Sequence, residues 1–550
     1  MSRKKEYKIR YEGDVMRLTT RRKKGILALV FSRFLLVFLL LWLQIVLFIG
    51  VLEWLSDYRP FLTFLTAAIT IASAIYLFSC DMDASGKLTW LFFIAIFPIP
   101  VSIFLIYTRV GLGHRRIRRR LSEIVLQTEH ALPRNAETEA KLAQEGPEMA
   151  DMVRWLNRSG CFPVCTGAQT EYYASGAEMF EAILKELQSA EKSIFLETFI
   201  IDEGYMWGRI LEILMAKAAA GVDVRVLYDG TCEVALLPMD YNERLEAFGI
   251  HAKSFAPIRP ILSSKYNNRD HRKILVVDGK VAFNGGINMA DEYIGRVERF
   301  GVWKDAGVSV RGEAAESFLL MFLQMWNFDA EEPDWTPLAG LSAGTTGTDI
   351  VGMVEEPKSA ENAGMAADDG YAIPYCDCPV DDYKVGETVY RDILNRAGSY
   401  VHVMTPYLIL DAETENAIKF AAQRGVDVKL ILPGIPDKKL PYALAKSHYR
   451  TLLDSGVKIY EFSPGFVHAK VFTSDDTKAV VGTINLDYRS LQHHYECATY
   501  LYRCKAVADA ESDVQATLAQ CREVTYETLK NEKLYYRVMG KLMRFVAPLL

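Results

Sequence analysis

One sequence pattern occurs twice in this chain of 550 residues and constrains its fold more than any other feature. Both copies read H-x-K-x4-D, and a G-[GT]-I-N segment begins seven residues after each Asp. The copies comprise His271, Lys273, Asp278 and residues 285–288, and then His468, Lys470, Asp475 and residues 482–485. A repeat that returns after about 200 residues predicts two fused domains and not a solenoid.

The segments that precede each copy show the same order of strand and helix patterns. The order is strand, helix, strand at 193–200, 210–220 and 221–229, and again at 400–410, 413–423 and 425–432. The last strand of each set opens with Gly-Val-Asp-Val followed by a basic residue. This repeated order predicts duplicated α/β domains, with helices on the faces of a sheet.

Three apolar blocks precede the repeats, at 34–55, 61–79 and 88–107. Each is close to the roughly 20 residues that a membrane-spanning helix needs, so we predict two or three transmembrane helices. Basic flanks at 1–24 and 114–120 favour anionic lipid headgroups as partners and the cytoplasmic side of a membrane. Three full crossings would put these flanks on opposite sides, so the number of crossings stays open.

The charge and the cysteines narrow the class of protein further. A formal net charge of −6 argues against a nucleic-acid binder, which usually carries a basic domain or stripe. Nine dispersed cysteines without a CxxC pair predict reduced thiols, and hence catalytic domains on the cytoplasmic side of a multi-pass protein.

The spacing within each copy suits a strand that presents chemistry on one face. His and Lys at positions i and i+2 of a strand point to the same side. Asp278-Gly279 predicts a tight hairpin, whose return strand would bring the Gly-Gly-Ile-Asn segment beside the His. The predicted phosphate contacts are Gly286, Asn288, Thr483 and Asn485.

Two such half-sites that face each other would combine two His and two Lys in one site for displacement at a phosphodiester. One imidazole would attack phosphorus, and the other would act as general acid and base. The cations and amides would stabilise the charged transition state, so we expect neither a metal nor a cofactor. The predicted catalytic set is His271, Lys273, Asp278, His468, Lys470 and Asp475, although both Asp residues fall at turns where a structural role is the alternative.

Each histidine also needs a partner that fixes its tautomer. A strand-like segment after each copy carries an acid, which is Asp305 in the first half and Glu496 in the second. We assign each acid to the histidine of its own half, and we predict Tyr407 as a substrate contact. The other histidines at 402, 448, 493 and 494 are expected to be satisfied or exposed.

The twin motif resembles that of the phospholipase D superfamily, and within it the chain is most similar to bacterial cardiolipin synthases. Further similar segments lie at 85–90, 221–224, 405–407, 425–428, 482–490 and 544–550. The resemblance implies two α/β/α sandwich domains that form one pseudo-twofold active site in a bacterial cell-membrane protein. It also implies that two phosphatidylglycerols give cardiolipin and glycerol through a phosphohistidine, with His271 as nucleophile and His468 as acid and base.

The chain departs from that family at Thr483-Ile484, where Ser-Ala is usual, in its additional first apolar block and in a longer linker. We predict that the domains are a basic tail (1–33), membrane segments (34–111), a basic linker or helix (112–151), the first half (152–337), a flexible linker (338–372) and the second half (373–550). The amphipathic end at 523–550 would lie on the bilayer or pack on the catalytic core.

Two other functions fit the same sequence. A hydrolase would use water, and a related transferase another alcohol, as the second nucleophile. A non-catalytic membrane scaffold would keep the fold without the chemistry. The sequence leaves the acceptor, the oligomeric state and the choice of nucleophile open.

Overall fold

The structure is a computed structural model that describes residues 9–13, 15–18, 59–110, 112–132, 134–160, 162–257, 268–339 and 370–549. The predicted apolar block at 34–55, nearly all of the basic tail and residues 340–369 of the predicted linker lie outside the described residues.

Helices dominate the described part of the chain before the repeats. Its elements are β1 (Arg10–Glu12), β2 (Val15–Arg17), α1 (Arg59–Ser79), α2 (Ala84–Ile96), α3 (Pro98–Val110), α4 (Leu112–Gln127), α5 (Ala136–Glu145) and α6 (Pro147–Gly160). The apolar block at 88–107 is divided between α2 and α3, because Pro98 has no N–H to donate to the carbonyl of Ile94. Among the described residues, no helix combines the length and the apolar character needed to cross a membrane.

The first half is built on a seven-stranded sheet of order β4-β12-β10-β9-β5-β6-β7. Its elements are β3 (Cys165–Thr166), β4 (Thr170–Tyr173), α7 (Gly176–Ser189), β5 (Ser193–Thr198), α8 (Tyr205–Ala219), β6 (Asp223–Asp229), α9 (Cys232–Ala235), α10 (Tyr241–Glu246), β7 (His251–Phe255), β8 (Arg269–Asp270), β9 (Ile274–Val277), β10 (Val281–Gly285), β11 (Val302–Lys304), β12 (Gly307–Arg311) and α11 (Glu313–Trp326), with 3-10 turns at Asp291–Ile294 and Thr336–Leu338.

The second half repeats this plan in a sheet of order β21-β16-β15-β14-β18-β19-β20-β13-β3. Its elements are β13 (Tyr371–Asp377), α12 (Val385–Arg396), β14 (Tyr400–Met404), α13 (Ala412–Gln423), β15 (Asp427–Pro433), α14 (Lys439–Leu453), β16 (Lys458–Phe462), β17 (Gly465–Val467), β18 (Val471–Ser474), β19 (Lys478–Gly482), α15 (Tyr488–Gln492), β20 (His494–Tyr502), α16 (Lys505–Leu518), β21 (Cys521–Glu523), α17 (Tyr526–Lys530) and α18 (Leu534–Val546), with a 3-10 turn at Ala547–Leu549.

The predicted pair of duplicated α/β domains is confirmed. In each sheet, parallel strands (β5-β6-β7 and β14-β15-β16) continue into the antiparallel hairpin that carries the motif (β9-β10 and β18-β19). The strand predicted at 400–410 ends at Met404, since the following Thr405-Pro406 leaves the ladder.

The two halves share one hydrophobic core. Side chains of both sheets, among them Val276, Ala282, Val471 and Ala479, belong to the same buried cluster. Helix α11 lies in this cluster and is buried at every residue from Ala314 to Trp326, because most of its surface is apolar. The motif hairpins therefore face each other across a packed interior.

The C-terminal helix α18 packs on the protein with one face and exposes apolar side chains on the other. Gly540 of α18 packs so closely on α14 that a Cβ atom there would lie 2.3 Å from the carbonyl oxygen of Ala443. On the outside, α18 exposes Leu534, Tyr535, Val538, Leu542 and Phe545. The helix predicted over 523–550 is thus split into α17 and α18, and α18 packs on the catalytic core while presenting an apolar stripe.

The motif acids close the two hairpins. Asp278 and Asp475 lie in three-residue turns with φ of 54° and 52°. The Asp278 carboxylate accepts hydrogen bonds from the backbone N–H groups of 191–193, and Asp475 accepts from those of 398–400. Burial acts to raise the pKa of each carboxyl, but these N–H donors outweigh it and hold the pKa below the ordinary value. These contacts agree with the structural alternative for both residues, and their place in the catalytic set stays a prediction.

We expect Asp278→Ala to lower the free energy of unfolding by about 1–2 kcal/mol, because three N–H groups lose a charged acceptor. The pKa of Asp278 is lowered in the folded state, so its contribution is complete above pH about 4 and fades as the pH falls further. Thermal unfolding in detergent measures the effect. The control is Glu191→Ala, whose side chain is exposed. Equal stability of the two variants at neutral pH would contradict this role.

Candidate active site

The site lies where short strands of each half pair with the other half. Strand β8, which leads to His271, runs parallel to β20 of the second half, and β17, which leads to His468, runs parallel to β11 of the first. The N–H of His271 donates to the carbonyl oxygen of Tyr495 at 2.9 Å, and that of His468 donates to Lys304 at 2.7 Å. We call these two strand pairs the seam.

The seam brings each histidine to the acid of the opposite half. Nδ1 of His271 lies 2.9 Å from Oε2 of Glu496, and Nδ1 of His468 lies 2.7 Å from Oδ2 of Asp305. The prediction that Asp305 and Glu496 orient the histidines is consistent with this geometry, but the assignment within each half is wrong. The pairing is exchanged because the strand before each histidine leaves its own sheet for the acid-bearing segment of the other.

The electrostatics of the two pairs define their protonation. Burial lowers the pKa of His271 to about 3, against the opposing charge of Glu496. Burial, with the charge of Lys470, lowers the pKa of His468 to about 4. Burial also acts to raise the pKa of Glu496 and Asp305, but their histidine partners hold both pKa values below the ordinary range. Each pair is therefore a neutral imidazole that donates from Nδ1 to a carboxylate, with Nε2 left as the basic nitrogen.

The second residue of each G-[GT]-I-N segment supports a carboxylate. A Cβ atom on Gly286 would lie 2.1 Å from Oδ1 of Asp305, so that space is filled by the acid. At the equivalent position the hydroxyl of Thr483 donates to Glu496. Both positions therefore face the orienting acids, and the phosphate contacts at Gly286 and Thr483 stay predictions.

The asparagines of the two G-[GT]-I-N segments differ in the hydrogen bonds of their side chains. The side-chain amide of Asn288 donates to the Tyr293 hydroxyl at 2.6 Å, and its oxygen accepts from the N–H of Ile200 at 3.0 Å. Both polar atoms of this amide are hydrogen-bonded within the fold, and the phosphate contact at Asn288 stays a prediction. The side-chain oxygen of Asn485 is buried without a hydrogen-bond partner, and Asn485 stays a predicted contact.

The two lysines are buried cations that lie differently with respect to their histidines. Nζ of Lys273 donates to the carbonyl oxygen of His271 at 2.6 Å. Nζ of Lys470 lies 2.9 Å from Nδ1 and 3.0 Å from Nε2 of His468. Burial lowers the pKa of Lys273 to about 8 and that of Lys470 to about 7, and the charge of Lys273 contributes to the second shift across the seam.

Aromatic rings surround the histidines, and no sequence motif singles them out. Phe199 packs edge-on to His271 with ring centroids 4.9 Å apart, while Tyr293 and Trp303 both lie 5.4 Å from His468. Tyr407 donates to Asp437 at 2.6 Å and lies 6.5 Å from the ring of Phe466. Phe466 in turn is 5.9 Å from His468, so Tyr407 is close to the site and stays a predicted substrate contact.

A third histidine enters the site, contrary to expectation. The ring centroid of His494 lies 5.3 Å from that of His271. Because strand side chains alternate, the i, i+2 spacing of His494 and Glu496 could have revealed this placement. In the described part of the chain, one group of His, Cys, Asp or Glu side chains has the spacing of a metal site, and it is His271, His494 and Glu496, whose ligand atoms lie within 4.8 Å of one another.

Two neutral imidazoles on carboxylate partners, with two lysine cations between them, suit chemistry at an anionic phosphodiester. Comparison with known proteins agrees with this geometry. Residues 183–326 and 390–518 match the family described as "Cardiolipin synthase, PLD-like domain". The cardiolipin synthase of Alkalihalophilus pseudofirmus is 31% identical over 481 residues, which cover 86% of this chain and 91% of that one.

The chain belongs to the cardiolipin synthase family. It is accordingly an enzyme of the phosphatidyltransferase class. A protein of Streptococcus mutans with no characterised function is 50% identical over 480 residues, or 87% of this chain and all of that one. The crystal structure of phosphatidylserine synthase from Haemophilus influenzae superposes with a TM-score of 0.53 at 17% identity, over 72% of this chain and 97% of that one, which shows a shared fold.

For this cardiolipin synthase family member, we expect Gly286→Ala to lower kcat by about 100-fold, because the added methyl group displaces the carboxylate that holds His468. Turnover of an anionic phospholipid measures the effect. Gly398→Ala is a suitable control, since its Cβ atom would meet only Asp475 at 3.9 Å. A Gly286→Ala enzyme with wild-type turnover would contradict the contact with Asp305.

We expect kcat/KM to fall as the pH rises through about 7 to 8, because the buried Lys470 and Lys273 lose their protons there. An anionic substrate favours the charged lysines, so the fall in kcat should occur at higher pH than the fall in kcat/KM. A pH profile of both constants in mixed micelles tests this. A kcat/KM that stays level through this range would contradict it.

Proposed function

We propose that the enzyme transfers a phosphatidyl group from one phosphatidylglycerol to a second, giving cardiolipin and glycerol. The observation that carries the proposal is that, in a chain of this family, each site histidine pairs with a carboxylate of the other half. His271 pairs with Glu496, and His468 pairs with Asp305. Two equivalent imidazoles in one site suit a double displacement, in which one is covalently modified while the other moves protons.

In the first step, Nε2 of His271 attacks phosphorus and the phosphorus–oxygen bond to the headgroup glycerol breaks. His468 takes a proton from the ammonium group of Lys470, which lies 3.0 Å from its Nε2, and passes it to that glycerol oxygen. Free glycerol leaves, the phosphatidyl group stays on His271, and Lys470 recovers its proton from His468 in the second step. A phosphohistidine needs a nucleophile whose Nε2 is unprotonated, and the bond from Nδ1 to Glu496 supplies that tautomer.

In the second step, His468 takes a proton from a headgroup hydroxyl of the second phosphatidylglycerol. The hydroxyl oxygen then attacks phosphorus, the phosphorus–nitrogen bond breaks, and His271 is restored. Product and enzyme balance without another reactant.

The lysines support the unequal assignment of the histidines. Lys470 lies against both ring nitrogens of His468, where an ammonium group crowds an attack from Nε2 and can share a proton with it. Lys273 instead donates to the backbone oxygen of His271. This difference favours His271 as nucleophile and His468 as acid and base.

We further propose that the enzyme acts as a bacterial membrane protein, where its lipid substrates are concentrated. Exposed apolar side chains on α1 support this, since large exposed apolar surfaces mark interaction sites. They are Phe61, Phe64, Ile71, Ile75 and Phe78. The apolar stripe of α18 lies near the same region, because Phe545 contacts Phe92 of α2 with ring centroids 4.7 Å apart.

We expect His271→Ala and His468→Ala each to reduce cardiolipin formation by about 1,000-fold or more, because nucleophile and proton transfer are lost. The assay follows lipid products and glycerol from purified enzyme with phosphatidylglycerol in mixed micelles. His130→Ala, an exposed histidine outside the site, is the control.

The products separate the proposal from its rivals. Wild-type enzyme should release one glycerol per cardiolipin. Phosphatidic acid without cardiolipin would identify a hydrolase, and no product under any condition would favour a scaffold; either result contradicts the proposal. Unchanged activity in either histidine variant would contradict the two-histidine mechanism.

A further inference from the structure

His494 is directed into the site by the geometry of its strand. It begins β20, on which Tyr495 and Glu496 follow. Side chains alternate along a strand, so His494 and Glu496 share one face. Tyr495 points the other way and packs edge-on to Phe255, with ring centroids 5.5 Å apart. The strand that supplies the carboxylate for His271 therefore also supplies a second imidazole on the same side.

This imidazole is nearly enclosed. Its side chain is 10% exposed, and its ring centroid lies 5.3 Å from that of His271 and 6.4 Å from that of Phe199. Nδ1 of His494 is 3.6 Å from Oε1 of Glu496, which is beyond hydrogen-bonding distance. Oε1 of Glu496 is already engaged by the hydroxyl of Ser490.

Neither ring nitrogen of His494 makes a hydrogen bond. By contrast, the buried His402 and His448 each place Nδ1 within 2.9 Å of a carboxylate, on Glu511 and Glu415 respectively. Burying a polar group without a partner is costly, and such groups in folded proteins call for an explanation. A ligand that brings an acceptor to this ring would remove the cost.

We propose that His494 binds the substrate phosphate, with its Nε2–H donating to a non-bridging oxygen of the phosphoryl group that reacts at His271. The assignment rests on the proposed function, in which that group becomes attached to the neighbouring Nε2 of His271. An imidazole ring can donate through its Nε2–H, and Nδ1 of His494 is the nitrogen that lies toward Glu496, 3.6 Å from Oε1. His494 thereby complements Lys273 and Lys470 with a directional donor on the His271 side.

The first test compares three variants by steady-state kinetics with phosphatidylglycerol. His494→Phe keeps a ring without a donor, His494→Gln keeps an amide donor near the position of Nε2, and His493→Gln alters the adjacent histidine as control. We expect kcat/KM to fall about 10- to 100-fold in His494→Phe, the range for losing a hydrogen bond to a charged group. His494→Gln should recover most of the loss, and His493→Gln should match the wild type.

The second test uses inorganic phosphate as a competitive inhibitor, so that binding is read without turnover of a headgroup. Its inhibition constant should rise about tenfold or more in His494→Phe and return toward the wild-type value in His494→Gln. Thermal unfolding of each variant confirms that the comparison is made on folded enzyme.

Two results would overturn the proposal. One is a His494→Phe enzyme with wild-type kcat/KM and phosphate inhibition. The other is an equal loss in His494→Phe and His494→Gln, which would assign the effect to the ring and not to its donor. If the wild type made phosphatidic acid instead of cardiolipin, the proposed acceptor would fail, but the phosphate inhibition constants would still decide the role of His494.

Discussion

Each site histidine is held by a carboxylate from the other half of the chain, and the rest of the site depends on this exchange. His271 rests on Glu496, and His468 rests on Asp305. The strands of the seam bring these partners together, so the same backbone contacts join the halves and fix both imidazole tautomers. A single half would have a motif histidine without its acid. Both halves are therefore needed to form one complete site.

Burial gives this arrangement its electrostatic character. Two carboxylates and two lysines share a region from which water is largely excluded, and desolvation keeps both imidazoles neutral. Burial also lowers the pKa values of Lys273 and Lys470, because charging these groups away from water is unfavourable. A bound phosphodiester would stabilise the charged forms of both lysines.

The two half-sites differ in the residues that contact their acids and their histidines. The short Asp305 approaches a glycine, whereas the longer Glu496 is met by a threonine hydroxyl. Lys470 contacts the ring of His468, whereas Lys273 contacts only the backbone of His271. His494 stands beside His271 alone of the two motif histidines, so a pseudo-twofold scaffold can assign different proposed tasks to its two imidazoles.

The sequence by itself determined the duplication, the α/β class, the motif hairpins with Asp278 at a turn, and the identity of both orienting acids. Each of these follows from a local period or spacing that adjacent residues carry. Only the tertiary structure decided that the acids are exchanged, that Gly286 and Thr483 face carboxylates, that Asn288 is tied to Tyr293 and that His494 enters the site. Those outcomes depend on how strands about 200 residues apart pair across the seam, and no local pattern specifies that pairing.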